Sequence, residues 1–422
     1  MRYIKILIIG SGAREHTLTW KIAQSPKATA LYVAPGNAGM ARIARALDIK
    51  AEDNEGLLKF ARENRIDLTV VGPEQPLANG VVDLFTKNGL AIFGPAQKAA
   101  EIEWSKVFFG DLMEKHGIPC ARNAAFSDYA KAREYLERLN PPYVIKADGL
   151  AAGKGVVITE SKAEAVKTLG SMMQNRSFGK SGERVVIQEY LHGREMSYFV
   201  FTDGKTIAST VPACDYKRIY DGNKGPNTGG MGSYTPPEFY TPVLGNIIMK
   251  TIMTPAILAM ADAGRPYKGT LYGGLMITNN VPKLLEFNSR LGDPETQVVL
   301  PRLKTDLVEI MMAVIENRLD KMKIEFDDNA CVGVVMASGG YPGSYKTGFP
   351  VSGLDDLDKD IMVFHAGTKP GGKGEVMTSG GRVLTVAAKG KDLKDAREKV
   401  YKNITRIKFE GAYYRKDIAD IR

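Results

Sequence analysis

Cysteine is scarce in this chain, which has three among its 422 residues: Cys120, Cys214 and Cys331. The three are far apart and odd in number, so they form neither a disulfide framework nor the paired spacing of a zinc site. We interpret them as core or incidental thiols.

Two other features are missing. The sequence has no run of 18 apolar residues that suggests a membrane span. Its N-terminus, MRYIKILIIGSG, has a short apolar run that enters a glycine turn and lacks the small-residue cleavage site of a signal peptide. We therefore expect a cytoplasmic protein with no membrane partner.

The features typical of nucleic-acid binding are also missing. The formal charge of +9 favours anionic partners. However, there is no helical stripe of arginines, no aromatic RNA-binding motif and no basic tail. We expect small phosphorylated ligands and no nucleic acid, and the length predicts two to four domains.

The first hundred residues alternate between strand-like and helix-like segments. Such alternation is typical of a doubly wound parallel sheet, which binds ligands at the carboxyl ends of its strands. Glycine, proline and polar residues follow strand after strand at those ends: GSGAR at 10–14, APGNAG at 34–39, GPEQPL at 72–77 and FGP at 93–95.

The first of these turns lacks a dinucleotide fingerprint. Gly10 and Gly12 are present, but Glu15 stands where a third glycine is needed, and no acid ends the second strand. A dehydrogenase is therefore disfavoured. A glycine turn that opens a helix can still hold a phosphate on its N–H groups, and a tight turn without a ligand is the alternative.

A glycine-rich hairpin is predicted within YVIKADGLAAGKGVVI, residues 143–158. It is not a Walker A loop, because Gly149 and Gly153 enclose three residues rather than four. Lys146 and Lys154 lie beside the glycines, so backbone N–H groups and lysine charges could together hold a polyphosphate. A plain hairpin with solvated lysines is the alternative. If a nucleotide binds there, the backbone of 188–191 and the Glu195 carboxylate, further along, could hold its adenine and its ribose.

The segment 215–236, DYKRIYDGNKGPNTGGMGSYTP, is too polar and glycine-rich for a core element, and we expect a functional loop or an ordinary surface loop. The side chains that could reach a polar substrate are those of Asp215, Lys217, Arg218, Asn227 and Thr228.

The stretch LLEFNSRLGDPETQ, residues 284–297, reads as a buried strand followed by a polar turn. Alternation along a strand places Glu286, Asn288 and Arg290 on one face. Glu286 and Asn288 offer hard oxygen ligands that suit Mg²⁺. A strand end with a solvated salt bridge is the alternative. The last ninety or so residues read as another α/β unit, which we interpret as a domain that closes the substrate crevice.

In this order, the motifs resemble those of the phosphoribosylamine–glycine ligase family, the glycinamide ribonucleotide synthetases of the ATP-grasp superfamily. The resemblance spans essentially the whole chain and rests on GSGAREH, PGNAG, VGPEQPL, E-x-SK at 103–106, IKADGLAAGKGV, DYKR, GPNTGGMG, LYGGLM, EFNSRLGDPETQ and FEGAYYRKDI. This chain departs from the family pattern at Ser11, Ala13, Trp104 and Asn223.

The resemblance implies an α/β and α+β multidomain fold with an N-terminal doubly wound parallel sheet, a central ATP-grasp module and a small C-terminal α/β domain. The implied domains are an N-terminal substrate-phosphate domain at 1–102, a central domain at 103–121 and 192–327, a lid at 122–191 and a C-terminal domain at 328–422.

It also implies residue roles. ATP would be bound by Lys106, Lys146, Gly153, Lys154, Gln188, Glu189, Tyr190, Leu191 and Glu195. Mg²⁺ or Mn²⁺ would be bound by Glu286 and Asn288. Catalysis would involve Arg290, Asp215 and Lys217. The ribose-phosphate crevice would comprise Gly10, Ser11, Gly12, Ala13, Arg14, Gly36, Asn37 and Gly39, and a loop that shapes the pocket would comprise Asp293, Pro294 and Glu295.

The implied reaction joins glycine to 5-phosphoribosylamine through glycyl phosphate, with ATP as co-substrate, in de novo purine biosynthesis by a monomer. Two alternatives stay open: another ATP-grasp ligase or carboxylase, and a nucleotide-binding regulator without catalysis.

Overall fold

The computed structural model describes residues 3–149, 155–175 and 182–421. The N-terminal part is a parallel sheet in the order β3-β2-β1-β4-β5. The strand order reverses between β1 and β4, so the carboxyl ends of these two strands open a crevice, as expected for a doubly wound sheet. Its elements are β1 (Ile4–Gly10), α1 (Ala13–Ile22), β2 (Ala28–Pro35), β3 (Arg45–Ala46), α2 (Asn54–Glu63), β4 (Leu68–Val71), α3 (Glu74–Ala78), α4 (Val81–Lys87) and β5 (Ile92–Phe93).

Two helices lead from this sheet to a small α+β unit, which we call the lid. Its antiparallel sheet has the order β6-β9-β7-β8, and two helices pack against it around a separate core. The elements are α5 (Gln97–Trp104), α6 (Lys106–Lys115), β6 (Asn123–Phe126), α7 (Tyr129–Glu137), β7 (Tyr143–Ala147), β8 (Val156–Thr159), α8 (Lys162–Met173) and β9 (Val185–Gln188).

The central antiparallel sheet has the order β11-β10-β16-β17. Helix α12 packs in the core shared by this sheet and the N-terminal sheet. The elements of this part are β10 (Arg194–Thr202), β11 (Ile207–Ser209), β12 (Cys214–Asp215), β13 (Arg218–Tyr220), β14 (Lys224–Asn227), β15 (Gly232–Thr235), α9 (Pro242–Ile248), α10 (Thr254–Asp262), β16 (Gly269–Thr278), β17 (Val281–Asn288), α11 (Thr296–Val299) and α12 (Leu307–Ile315).

The C-terminal sheet has the order β12-β15-β18-β23-β20, and α13 packs on it. Its remaining elements are β18 (Ala330–Ala337), β19 (Pro350–Val351), β20 (Ile361–His365), β21 (Thr368–Pro370), β22 (Val376–Thr378), β23 (Arg382–Gly390) and α13 (Leu393–Ile404). The multidomain fold class is as expected from the sequence.

One local expectation was wrong. The segment 215–236 was predicted to be irregular, yet it forms strands, and β15 is fully buried. The polar, glycine-rich composition of the segment does not indicate these strands, because β15 is formed by pairing with β18, about a hundred residues further along the chain. The sheet of the C-terminal unit therefore takes two strands from within the predicted central domain, whereas the domain boundaries themselves stay a prediction.

One helix bears on the expectation that the chain has no membrane span. Within the described residues, one continuous helical stretch, Pro242–Asp262, is long and apolar enough to cross a membrane by length and composition alone. Half of its most apolar 18-residue window is buried, and Ile248, Ile252 and Ile257 pack in the core of the central sheet. Its composition is accounted for by that packing.

Candidate active site

The strand β17 presents a polar face toward the lid. Phe287 and Ser289 are buried, whereas Glu286, Asn288 and Arg290 are half-buried on the other side. The segment was expected to begin with a buried strand, but the register shifts between Gly274 and Leu275 on the partner strand, and Leu285 is only half-buried. The structure thus brings the predicted metal ligands and one predicted catalytic residue to one face.

Lysines surround Glu286. Lys146 Nζ lies 3.8 Å from Glu286 Oε2 and donates to the Leu285 carbonyl at 3.3 Å. Burial lowers the pKa of Lys146 to about 8. Burial alone would raise the pKa of Glu286, but Lys146, Lys217, Lys106 and Arg290 together lower it. The carboxylate is therefore ionised and compensated by several cations.

The lid hairpin is anchored to the start of helix α6. Lys106 Nζ donates to the Gly149 carbonyl at 3.4 Å, and Val107 N donates to Asp148 Oδ1 at 3.2 Å. The other carboxylate oxygen of Asp148, Oδ2, forms an ion pair with Arg184 Nη2 at 2.6 Å. Gly153 and Lys154 lie outside the described residues.

A narrow pocket separates the lid from β17. It holds about 10 Å³, roughly the space of one water molecule, and its walls come from α5, α6, the lid sheet and β17. Gln188 Nε2 donates to Asn123 Oδ1, on the neighbouring lid strand, at 2.9 Å, and it reaches β17 at the Leu285 carbonyl, at 3.3 Å. The lining residues are Ile102, Glu103, Lys106, Phe109, Asn123, Lys146, Val186, Gln188, Leu285 and Glu286.

The predicted adenine-binding segment, residues 188–191, begins at the last residue of β9. Glu189 Oε2 accepts from the backbone N–H of Arg122 at 3.1 Å. Tyr190 is exposed, and Leu191 is buried in a small apolar cluster. Of this predicted set, only the Gln188 side chain lines the pocket described above.

Three acids and a lysine lie close together beside β12. Lys217 is ion-paired with Glu195. Burial raises the pKa of Asp215, although Lys217 opposes the shift. Glu295 is buried and accepts from Ser197 Oγ at 2.8 Å. The carboxylate of Glu195, which was predicted to bind ribose, is thus occupied by Lys217 in this structure.

Arg290 is held by two carboxylates. Its guanidinium lies 3.1 Å from Glu74 Oε2 and 2.9 Å from Glu103 Oε1. Burial would lower the pKa of Arg290, but these two acids raise it, so the charge is permanent. The anchor at Glu74 ties the end of β17 to the N-terminal crevice.

The N-terminal crevice differs from expectation in one detail. The N–H of Gly12, expected to be free for a phosphate, donates to Glu15 Oε2 at 2.7 Å, since the helix is capped by its own third residue. Gly10 has φ +124° and leaves room for the same carboxylate, which a side chain there would meet. Ser11 is exposed at the mouth, and Ala13 and Arg14 are buried.

The second loop of that crevice is fastened by Asn37. Its Nδ2 donates to the carbonyls of Ser11 and His365, both at 2.8 Å, and its Oδ1 accepts from the N–H of Gly39 at 3.0 Å. The Gly36 N–H donates to the Gly10 carbonyl at 3.2 Å. The predicted crevice residues are thus brought together, joined by a residue of the C-terminal domain.

Sequence reasoning missed two contributions of that domain. His365 lies beside His16, whose Nδ1 accepts from the His365 backbone N–H at 2.8 Å. Arg382 lies 3.2 Å from Asp293 Oδ1 and donates to the Asp293 carbonyl at 2.9 Å. No local pattern marks either residue, because both reach the crevice only through the pairing of β20 and β23. The carbonyl of Pro294, in the same loop, accepts from buried Ser233 at 2.7 Å.

Three family models match the chain in sequence order. They are the phosphoribosylglycinamide synthetase N domain at residues 4–103, the ATP-grasp (A) domain at 104–296 and the C domain at 331–421. The chain belongs to the phosphoribosylglycinamide synthetase family.

Relatives of this synthetase family cover the chain almost completely. The chain is 48% identical to the phosphoribosylamine–glycine ligase of Caldanaerobacter subterraneus, with 99% of each chain covered. It is also 48% identical to the trifunctional purine biosynthetic protein adenosine-3 of Gallus gallus, covering 98% of this chain and 42% of that protein.

One solved structure agrees with this assignment, and a second shares only the fold. The phosphoribosylamine–glycine ligase of Thermotoga maritima superposes with a TM-score of 0.86 at 33% identity, covering 98% of this chain and all of the other. A biotin carboxylase of Campylobacter jejuni superposes with a TM-score of 0.76 at 14% identity, covering 98% and 94%, and shares the fold alone.

Proposed function

We propose that this synthetase-family enzyme joins glycine to 5-phosphoribosylamine with ATP, giving glycinamide ribonucleotide, ADP and phosphate. The observation that carries the proposal is the arrangement around Glu286. The Glu286 carboxylate, whose charge is compensated, lies on β17, and Lys106 and Lys146 approach it from α6 and from the lid. The cluster of acids and Lys217 beside β12 adjoins this group. This suits a ligase that activates a carboxylate by phosphoryl transfer.

ATP would enter between the lid and β17. Lys106 and Lys146 at this junction would neutralise phosphate charge, and the hairpin N–H groups would cover the phosphates. A nucleotide needs more room than the roughly 10 Å³ of this pocket, which it would gain if the lid moved away from β17. The adenine would bind at residues 188–191, the segment that joins the lid to β10.

The residues present fit a divalent cation. Glu286 and Asn288 provide one carboxylate and one amide oxygen, and Mg²⁺ usually takes few protein ligands and completes its shell with water and phosphate oxygens. No cluster of three or more acid, histidine or cysteine ligands occurs within the described ranges, which speaks against a cage formed by protein ligands alone. When bound, Mg²⁺ or Mn²⁺ would neutralise charge on the phosphate oxygens.

Glycine would bind beside Arg290 and the loop 293–295. One oxygen of its carboxylate attacks the γ-phosphorus of ATP, the bond to the β-phosphate oxygen breaks, and ADP leaves. Such a transfer depends mainly on alignment and charge stabilisation. Arg290 suits this task because Glu74 and Glu103 hold its guanidinium in place with its charge retained.

The second step forms the amide. The amine of 5-phosphoribosylamine attacks the carbonyl of glycyl phosphate, and phosphate leaves. Asp215 and Lys217 would position the amine, and Asp215, whose pKa burial raises, could accept its proton. The ribose-phosphate would lie between residues 10–14 and 36–39, near Arg14.

The direct test is ADP formation by the full chain with ATP, Mg²⁺ and glycine, with and without phosphoribosylamine generated in the cuvette. Turnover that needs all components supports the ligase. Turnover with bicarbonate in place of glycine would favour the rival carboxylase reaction, and ATP binding without any turnover would favour a regulator. The monomeric state, the cytoplasmic location, the absence of nucleic-acid partners and the domain boundaries remain predictions beside this proposal.

A further inference from the structure

One large cavity in the described part of the chain lies outside the crevice. It holds about 640 Å³ and opens where α1 meets the start of β20 and the end of β23. None of its lining residues belongs to the ATP or substrate sets assigned above. Those used here are Trp20, Lys359, Met362, Phe364, Lys389 and Lys391.

One wall of the cavity is apolar and aromatic. The Trp20 ring meets the Phe364 ring edge-on, with 5.6 Å between their centroids, and Met362 packs in the same cluster. Trp20 and Met362 are half-buried and line the cavity, and Lys21 Nζ lies 5.9 Å from the centroid of the indole. A flat ring could cover this wall with stacking and dispersion contacts.

The rim carries an excess of positive charge. Four lysines and one acid, Asp360, are among the described residues that line the cavity. Lys389 pairs with Asp327 at 2.7 Å, and Lys399 pairs with Asp360 at 3.1 Å.

Two of the four lining lysines have no acidic partner among the described residues. Lys359 and Lys391 are exposed, and neither ammonium group has an ion pair or hydrogen bond within residues 3–149, 155–175 and 182–421. Nearby Lys21 has its pKa lowered by burial and then by the charge of Lys389, while Asp327 and Asp306 oppose the shift. Uncompensated lysines beside an apolar wall favour an anion that carries a ring.

We propose that this cavity is a second binding site, which takes a mononucleotide with its base against Trp20 and Met362 and its phosphate near Lys359 and Lys391. The volume lies within the range of small-molecule sites, about 300 to 1,000 Å³. The inference rests only on this cavity and does not depend on the reaction assigned to the crevice.

Tryptophan fluorescence can test the proposal, because the chain has two tryptophans, Trp20 and Trp104. In the full-length Trp104→Phe variant, AMP should change the Trp20 emission with a saturable curve. Adenosine and inorganic phosphate should each bind at least about ten-fold more weakly, since each keeps only half of the contacts.

Charge variants separate this site from the crevice, which can also take AMP. In the Trp104→Phe background, Lys359→Glu with Lys391→Glu should weaken the Trp20 response at least about ten-fold. The matched pair Lys50→Glu with Lys394→Glu changes two exposed lysines outside the cavity and should leave the response unchanged.

Three results would overturn the proposal: no Trp20 response while calorimetry on the unaltered chain shows AMP binding, a response that the Lys359 and Lys391 changes leave intact, or equal affinity for AMP and inorganic tripolyphosphate. Calorimetric loss of a second AMP site in the Trp20→Ala variant would support it even if Trp104→Phe does not fold.

Discussion

Arg382, the first residue of β23, lies 3.2 Å from the Asp293 carboxylate. The same guanidinium donates to the carbonyls of Asp293 and Gly229, at 2.9 and 2.6 Å. Asp293 Oδ2 in turn accepts from the N–H of Arg14 at 3.4 Å. One side chain of the C-terminal sheet therefore links the loop after β17, the loop before β15 and the start of α1.

Changing Arg382 should affect the amine substrate first. Arg382→Lys keeps the charge but loses the two-pronged donor, so we expect the KM for phosphoribosylamine to rise about ten-fold or more while the KM for ATP changes little. Steady-state kinetics with each substrate varied would measure both. Arg397→Gln, which alters an arginine of the same domain away from the crevice, is the control. Equal increases in both KM values would contradict this role.

The metal prediction rests on Glu286. Glu286→Gln should raise the Mg²⁺ concentration needed for half-maximal turnover at least about ten-fold, because an amide replaces the carboxylate ligand. Mn²⁺ binding in the presence of a non-hydrolysable ATP analogue, followed by electron paramagnetic resonance, gives a readout apart from turnover. The exposed Glu114→Gln serves as control. Unchanged Mn²⁺ affinity in Glu286→Gln would remove this residue from the metal site.

The lowered pKa of Lys146 predicts that kcat/KM for ATP depends on pH. Burial lowers it to about 8, so in the free enzyme the ammonium is charged below that pH and neutral above it. The kcat/KM for ATP should therefore fall as the pH rises through about 8. In Lys146→Arg the limb should move to higher pH, and in Lys146→Ala it should vanish with a raised KM for ATP. Lys283→Ala, on the same strand as Glu286, should keep the wild-type profile. An unchanged limb in Lys146→Ala would assign it to another group.

The buried histidines predict acid sensitivity. Burial lowers the pKa of His16 to about 3 and that of His365 to about 4, against 6.5 when exposed. Between pH 6.5 and 4 the unfolded chain binds more protons than the folded one, so the free energy of unfolding falls as the pH falls. The slope is at most about 1.4 kcal/mol per pH unit for each histidine.

Urea unfolding at pH 7 and pH 5 would measure this sensitivity. His16→Asn with His365→Asn should be less stable at pH 7 but lose less stability on acidification. The exposed His192→Asn should keep the full loss between the two pH values. The same pH dependence in the double variant as in the unaltered chain would show that other groups cause it.

The sequence predicted local elements better than distant pairings. The hydrophobic runs identified β1, β4 and β17, and β7 and β8, which flank the glycine-rich segment, pair antiparallel as expected. The strand β15 was missed because it is formed by pairing with β18, which its own sequence does not indicate. Arg382 and His365 were missed for the same reason, since only the order of strands in the C-terminal sheet carries them to the crevice. The ion pair between Lys217 and Glu195 also depends on tertiary packing, since it joins the connection between β12 and β13 to β10.

The central claim is that ATP activates the glycine carboxylate. Glycine labelled with ¹⁸O at both carboxylate oxygens can be turned over with ATP and phosphoribosylamine, and the released phosphate analysed by mass spectrometry. The account predicts one ¹⁸O atom in each phosphate, because the attacking oxygen stays with phosphorus when the amine displaces it. Unlabelled phosphate from a reaction that still forms the amide would contradict it.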